Sequence, residues 1–169
     1  PLAGAKTAQY LVSLLARTEV RDAGADDALL LNHEGALVEA ATANLFLLTG
    51  DRLLTPPLSD GPLPGITRGV VGEIAPRIGL TVEERTLRPP DLAAADAVLL
   101  TSSIAGITPV ISVEGRDGEA LWRAGDGEPP AIAALWEAYE TLVVSEIGPP
   151  RALVERGEGG EGAAPDALD

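Results

Sequence analysis

Apolar residues recur along the chain with two different periods, and the longer period predicts helices. Leucines are spaced three and four residues apart over residues 7–23, and Gly24 follows as a typical stop. The same spacing predicts helices over residues 67–78 and 91–95 and a long helix over residues 130–147. These four segments are expected to pack one apolar face each against the rest of the protein.

Short apolar runs, several with a two-residue period, predict strands separated by turns. Residues 28–32 and 36–39 flank the turn His33-Glu34-Gly35 and predict one hairpin, and residues 44–48 and 52–54 predict a second. Further strands are predicted over residues 81–86, 97–101 and 108–113, and the turn at 114–118 after the last of them predicts a further hairpin. Because helices and strands intermix, the fold class is predicted to be α/β or mixed α+β.

The domain organisation follows from where these patterns stop. The chain has 169 residues, about the length of one domain. Residues 1–148 contain every predicted element and are expected to form that domain. Residues 149–169 are rich in acids and glycine and poor in large apolar side chains, which predicts an acidic tail.

Composition and charge exclude several classes of function. Twelve basic against twenty-six acidic residues give a net charge of −14, which argues against nucleic acid as a partner. The absence of cysteine and the single histidine, His33, exclude disulfides, thiol catalysis and a histidine-cluster metal site, so no metal is expected. No segment is typical of a membrane span or a signal peptide. We therefore expect a cytoplasmic protein without a membrane partner.

The segment Leu63-Pro-Gly-Ile-Thr-Arg68 is the first candidate for chemistry. A glycine-containing loop runs directly into the predicted helix, so the amides of Ile66 and Thr67 are expected to lack helical partners. With the Thr67 hydroxyl and the positive end of the helix, they form a candidate phosphate site. The alternative is that Thr67 only caps the helix.

Isolated residues elsewhere are also candidates, each with a simpler structural explanation. Lys6 is the only lysine among the twelve basic residues, although a lysine at a helix start is usually a solvated surface residue. Glu39 ends an apolar strand, where a carboxylate is poorly solvated unless it is paired, or it is an ordinary strand-edge acid. Asn44 could bond local backbone, and the hydroxyls of Thr101-Ser-Ser103 could belong to an ordinary turn.

Taken in order, these segments resemble the fold-type IV pyridoxal-phosphate enzymes, which include branched-chain and D-amino-acid aminotransferases and aminodeoxychorismate lyase. The resemblance extends from about Lys6 to Gly115. Its segments are Lys6 with Tyr10, Glu39-Ala-Ala-Thr-Ala-Asn44-Leu-Phe46, Leu63-Pro-Gly-Ile-Thr-Arg68, Thr101-Ser-Ser103 and Thr108-Pro-Val110. It implies the larger, cofactor-binding domain of such an enzyme, a mixed sheet curled into a pseudo-barrel with flanking helices.

The same resemblance implies pyridoxal 5′-phosphate as the cofactor and assigns the residues that contact it. Lys6 matches the Schiff-base lysine, and Glu39 matches the carboxylate that keeps the pyridine nitrogen protonated. Tyr10 matches a tyrosine near the cofactor's 3′-oxygen. The phosphate-binding residues would be Leu63, Ile66, Thr67 and Ser103, and the residues near the substrate carboxylate would be Ile104 and Ala105.

The activity implied is that of a class IV aminotransferase, which moves an amino group between an amino acid and a 2-oxo acid. One alternative is aminodeoxychorismate lyase, which releases pyruvate and 4-aminobenzoate for folate synthesis. The other is a non-catalytic domain of the same fold. A homodimer is expected. Since only five residues precede Lys6 and the chain has no methionine, we expect it to be the C-terminal domain of a longer enzyme that has a smaller N-terminal domain.

Overall fold

The computed structural model describes residues 11–147, which alternate between helices and strands. The helices are Leu11–Asp22 (α1), Ile66–Ile74 (α2), Pro89–Ala93 (α3) and Pro130–Ile147 (α4). The strands are Leu29–Leu31 (β1), Leu37–Ala40 (β2), Asn44–Thr49 (β3), Arg52–Thr55 (β4), Thr81–Glu84 (β5), Ala97–Ser102 (β6), Gly106–Pro109 (β7), Ser112–Glu114 (β8) and Ala120–Arg123 (β9). The predicted mixed fold class and the three predicted hairpins are confirmed. Residues 1–10 and the predicted tail lie outside the described residues.

The predicted helix over residues 67–78 is shorter in the structure. It ends at Ile74, and Ala75–Ile78 continues as a 3-10 turn. Pro76 has no N–H for an α-helical hydrogen bond, which accounts for the change. Gly79 then adopts a left-handed conformation, with φ of 85°, and closes the turn. The predicted helix over residues 91–95 is also displaced, and spans Pro89–Ala93 in the structure. Proline is favoured at the first helical positions, which accounts for the earlier start.

The predicted strand over residues 108–113 is wrong as a single element. Its first part belongs to β7, which pairs with β6, and its last part belongs to β8, which pairs with β9 in a separate two-stranded sheet. The change occurs at Val110 and Ile111: the Val110 N–H donates to Val98, whereas the Ile111 carbonyl accepts from Ala124. Two neighbouring residues thus bond to different sheets.

The main sheet is organised around β3, whose two edges are occupied differently. One edge pairs with β6 along the whole of Asn44–Leu48. The other edge pairs with β2 at Asn44, opposite Glu39, and with β4 from Leu47 onward. Along this edge, β2 therefore pairs with the start of β3 and β4 pairs with its end. The sheet divides between β2 and β4.

Beyond β4 the sheet curls back towards β2. β4 and β5 pair in parallel, joined by α2, and the Leu37 N–H then donates to the Leu87 carbonyl at 2.8 Å. This bridge links the segment after β5 to β2, which agrees with the curled sheet implied by the resemblance. One apolar cluster within the curl contains Leu37, Leu45 and Leu54 from β2, β3 and β4, together with Leu87 from the segment after β5.

A second apolar cluster lies between the sheet and the helices α2 and α4. Its sheet side chains include Phe46, Leu48 and Leu99, and its helical side chains include Val71 and Leu135. This cluster fixes α2 against β3 and β6, which places the start of α2 beside the first residue of β3. Among residues 11–147, no helix is both long and apolar enough to cross a membrane, and no group of acidic and histidine side chains is arranged to hold a metal ion.

Candidate functional site

Polar side chains are concentrated where the start of α2 meets the sheet. Within residues 11–147, the buried polar side chains are Asn44, Thr55, Thr67 and Thr101. Asn44 and Thr101 are direct neighbours across β3 and β6, and Thr67 is the second residue of α2. Since burying polar groups costs free energy unless they are bonded, this polar end of an apolar cluster is the candidate site.

Glu39 faces this polar end from β2 and is held by two hydrogen bonds. Its Oε2 accepts from the Leu63 N–H at 3.0 Å and from Asn44 Nδ2 at 3.1 Å. Burial raises the pKa of Glu39 above its ordinary value, and the bond from the Leu63 amide partly offsets the rise. Among the described residues, no arginine forms an ion pair with Glu39. The half-buried carboxylate is therefore suited to a cationic partner supplied by a ligand.

Asn44 connects the loop before α2 to the carboxylate. Its Nδ2 also donates to the Leu63 carbonyl at 2.8 Å, so Leu63 is bonded through both its N–H and its C=O. Sequence reasoning had predicted only that Asn44 bonds local backbone. The backbone group that it bonds is nineteen residues away along the chain.

The start of α2 is not capped by a side chain. The N-cap residue is Gly65, with extended backbone, and no side chain of the described residues caps the helix. Thr67 lies inside the helix, so the alternative in which Thr67 serves only as the N-cap is wrong. Ile66 is 77% exposed and Thr67 only 4% exposed, so the Thr67 side chain faces the interior of the protein. The first-turn amides remain suited to an anion, as the sequence predicted.

Arg68 fastens this helix to the strands beneath it. Its side chain is only 10% exposed, forms an ion pair with Glu84 at 2.9 Å and donates to the Pro56 carbonyl at 3.0 Å. Glu84 and Thr55 are paired at the ends of β5 and β4. Arg68 thus holds the start of α2 over the ends of two parallel strands, which is a structural role.

The turn between β6 and β7 contributes the remaining predicted residues. Ser103, Ile104 and Ala105 are exposed there, and the Ala105 N–H donates to Ser102 Oγ at 3.1 Å. The Thr101 hydroxyl, just before the turn, is buried without a hydrogen-bond partner in the described part of the chain. Because Thr101 pairs with Asn44, this turn begins beside the carboxylate and the start of α2.

The structure therefore brings together Glu39, Leu63 and Thr67, and it places the Ser103 turn at the adjoining strand end. Lys6 and Tyr10 lie outside the described residues. Sequence reasoning missed the links made by Asn44 and the requirement for glycine at position 65. A Cβ on Gly65 would overlap Asn44 Oδ1, and this contact depends on tertiary structure alone.

Comparison with known proteins identifies the family of this chain. Residues 1–113 match the family described as amino-transferase class IV. A putative branched-chain-amino-acid aminotransferase from Methanocaldococcus jannaschii is 40% identical over 111 residues, covering 66% of this chain and 38% of that protein. With a match over two thirds of its length, the chain belongs to the class IV aminotransferase family.

Solved structures show the same fold. The branched-chain amino acid aminotransferase from Thermobaculum terrenum, in its PLP form, is 31% identical with a TM-score of 0.76, covering 86% of this chain and 46% of that one. The putative 4-amino-4-deoxychorismate lyase from Legionella pneumophila is 34% identical with a TM-score of 0.75, covering 83% and 50%. This chain thus spans half or less of the length of the relatives that it matches.

Proposed function

We propose that this chain is the cofactor-binding domain of a pyridoxal-phosphate-dependent aminotransferase that moves an amino group between an amino acid and a 2-oxo acid. The observation that carries the proposal is the Glu39–Leu63 hydrogen bond, which links a half-buried carboxylate to the loop that enters an uncapped helix. A single ligand can then contact both the Glu39 carboxylate and the anion site at the start of α2. The domain would comprise residues 1–148, followed by the acidic tail.

The donor set fits the proposed cofactor at both of its charged ends. The phosphate would be held by the first-turn amides of Ile66 and Thr67, the Thr67 hydroxyl and Ser103, next to Leu63. The pyridine nitrogen would face Glu39, which has no cation among the described residues. When bound, pyridoxal phosphate supplies an aldehyde that takes up the amino group and a ring that accepts electrons.

Each of the other site residues would have its own role in the reaction. Lys6, as the only lysine, would supply the amine that binds the cofactor and moves the proton of the substrate. Glu39 would keep a proton on the ring nitrogen, because an ionised carboxylate beside it stabilises the cationic form. Tyr10 would contact the cofactor's 3′-oxygen, and Ile104 and Ala105 would lie near the substrate carboxylate.

The test uses the intact protein with saturating pyridoxal phosphate. We expect visible absorbance from the lysine-bound cofactor and, after borohydride reduction, a pyridoxyl group on the peptide that contains Lys6. Lys6→Arg keeps the positive charge and should lose the label. A protein that stays colourless and unlabelled would reject the proposal in favour of a non-catalytic domain.

The substrate class is proposed from the relatives, several of which are named branched-chain-amino-acid aminotransferases. Transfer from branched-chain amino acids to a 2-oxo acid is therefore the first activity to assay. We also propose a homodimer, which light scattering of the intact protein would test.

Aminodeoxychorismate lyase remains the second candidate, because a structure named as such a lyase is similar in fold and sequence. Release of pyruvate from aminodeoxychorismate, without amino transfer to a 2-oxo acid, would assign the lyase activity instead. Glu39→Gln should impair either reaction, so this variant tests the cofactor site and not the choice between the two activities.

A further inference from the structure

We propose that Asn44 is a positioning residue that fixes Glu39 by one carboxylate oxygen and leaves the other oxygen for the cofactor's ring nitrogen. This inference rests on the proposed function. It starts from the distribution of hydrogen bonds: both bonds to Glu39 fall on Oε2, one from Asn44 and one from the Leu63 amide. Among residues 11–147, Oε1 accepts none.

The chemistry of its neighbours fixes which way the Asn44 amide points. Its Nδ2 lies between two acceptors, Glu39 Oε2 and the Leu63 carbonyl, at 3.1 and 2.8 Å. An amide turned by 180° would place Oδ1 against both acceptors, so only the NH₂ group can occupy this position. The carboxylate is therefore always bonded on the same side.

Packing prevents the Asn44 side chain from leaving this position. Asn44 is buried, and its Oδ1 fills the space where Gly65 has no side chain. Across the sheet Asn44 pairs with Thr101 on one strand and with Glu39 on the other. Because the Asn44 side chain is held on all these sides, it can hold the carboxylate that it bonds in a fixed position.

Asn44 is also bonded to Leu63, so a purely structural role in the loop is the competing explanation. The two roles predict different effects of Asn44 variants on ligand affinity. If Asn44 acts through Glu39, its loss weakens only the interaction with the ring nitrogen. If it only shapes the loop, its loss weakens binding of the phosphate end, whatever atom occupies the ring position.

The experiment compares two ligands by calorimetry on the intact protein. The first is pyridoxamine phosphate, which has no aldehyde and binds without covalent chemistry. The second is its analogue with CH in place of the ring nitrogen. The wild-type protein should prefer the nitrogen-containing ligand, and Glu39→Gln should remove most of that preference.

Asn44→Ala is expected to lower affinity for pyridoxamine phosphate by about ten- to a hundredfold, the size expected for a lost hydrogen bond to a charged group. Affinity for the CH analogue should change far less. In the double variant with Glu39→Gln, the preference should fall no further than in Glu39→Gln alone, because both changes act through one carboxylate.

The control variant is Trp122→Phe, which removes a half-buried hydrogen bond of 2.9 Å to the Ala95 carbonyl, in the apolar cluster that contains Leu37 and Leu54. It should lower stability and leave the ligand preference unchanged. If Asn44→Ala does not fold, Asn44→Leu, which keeps the branched shape and the number of heavy atoms, takes its place.

Three outcomes would overturn the proposal. Equal losses for both ligands would make Asn44 a structural residue of the loop, and so would failure of both Asn44 variants to fold. Both outcomes leave the proposed function intact. A wild-type protein that binds neither ligand would instead reject the proposed function, and the role of Asn44 with it.

Discussion

Gly65 lies at the contact between the start of α2 and Asn44, and replacing it with alanine tests the packing of the site directly. A Cβ at this position would overlap Asn44 Oδ1 and lie 3.1 Å from Asn44 Cγ. The backbone of Gly65 has φ of −66°, which any residue adopts, so the substitution adds no backbone strain. Its whole cost therefore arises from the clash.

The magnitude follows from what must move. Asn44 is buried and bonded to Glu39 and Leu63, so it cannot move aside without weakening those hydrogen bonds. Overpacking alone typically costs about 1–3 kcal/mol, and a weakened hydrogen bond to a charged group adds about 1.5–3 kcal/mol. We expect Gly65→Ala to lower the free energy of unfolding by about 3 kcal/mol.

The same helix supplies the control. A Cβ on Gly69 would meet no atom of the described residues within 4 Å, and Gly69 lies in the interior of α2. Gly69→Ala should therefore stabilise the protein by about 0.5–1 kcal/mol through helix propensity. Urea unfolding of both variants measures the difference. Equal stability of Gly65→Ala and Gly69→Ala would refute the packing argument.

Three further predictions concern the groups around this contact. Thr67→Val should weaken pyridoxamine phosphate binding by about 1.5–3 kcal/mol, and unchanged affinity in calorimetry would remove its hydroxyl from the phosphate site. Arg68→Leu should cost about 1–2 kcal/mol of stability in urea unfolding, since Arg68 is 10% exposed; Arg52→Leu, which breaks an exposed pair, should cost almost nothing. In the protein without cofactor, Glu39 has a raised pKa, so the unfolded state releases its proton first and stability falls as pH rises above about 4.5. Glu39→Gln should lack this part of the pH dependence, and identical stability profiles of the two proteins between pH 4 and 7 would contradict the raised pKa.

Most elements could be predicted from the sequence because their apolar patterns are local. The hairpin around Gly35 and the long helix α4 depend on neighbouring residues alone, and both are confirmed. The break at Val110 could not be predicted in this way. Its cause is the choice between two sheets, which depends on Val98 and Ala124. The early end of α2 did have a local signal, since Pro76 cannot continue an α-helix.

The candidate site was also predictable only where its features depend on local sequence. The uncapped start of α2 was predictable, because a proline-glycine loop before a helical pattern leaves amides free. The partner of Glu39 was not, because the Leu63 amide is twenty-four residues away and reaches the carboxylate only through the divided sheet. A charged side chain on an apolar strand signals that a partner exists but gives no indication of which segment supplies it.

The divided edge of β3 explains why these groups meet at one place. At its first residue, Asn44, β3 still pairs with β2 and already pairs with β6, whereas β4 joins only further along. The loop that leaves β4 can therefore enter the space beside Asn44, where the amide side chain bonds it at Leu63. An acid from β2, a helix start and a strand end from β6 thus come together around a single strand position. Any ligand that contacts the acid and the helix start together depends on that position, which is why the variants at Asn44 and Gly65 are the most direct tests of the site.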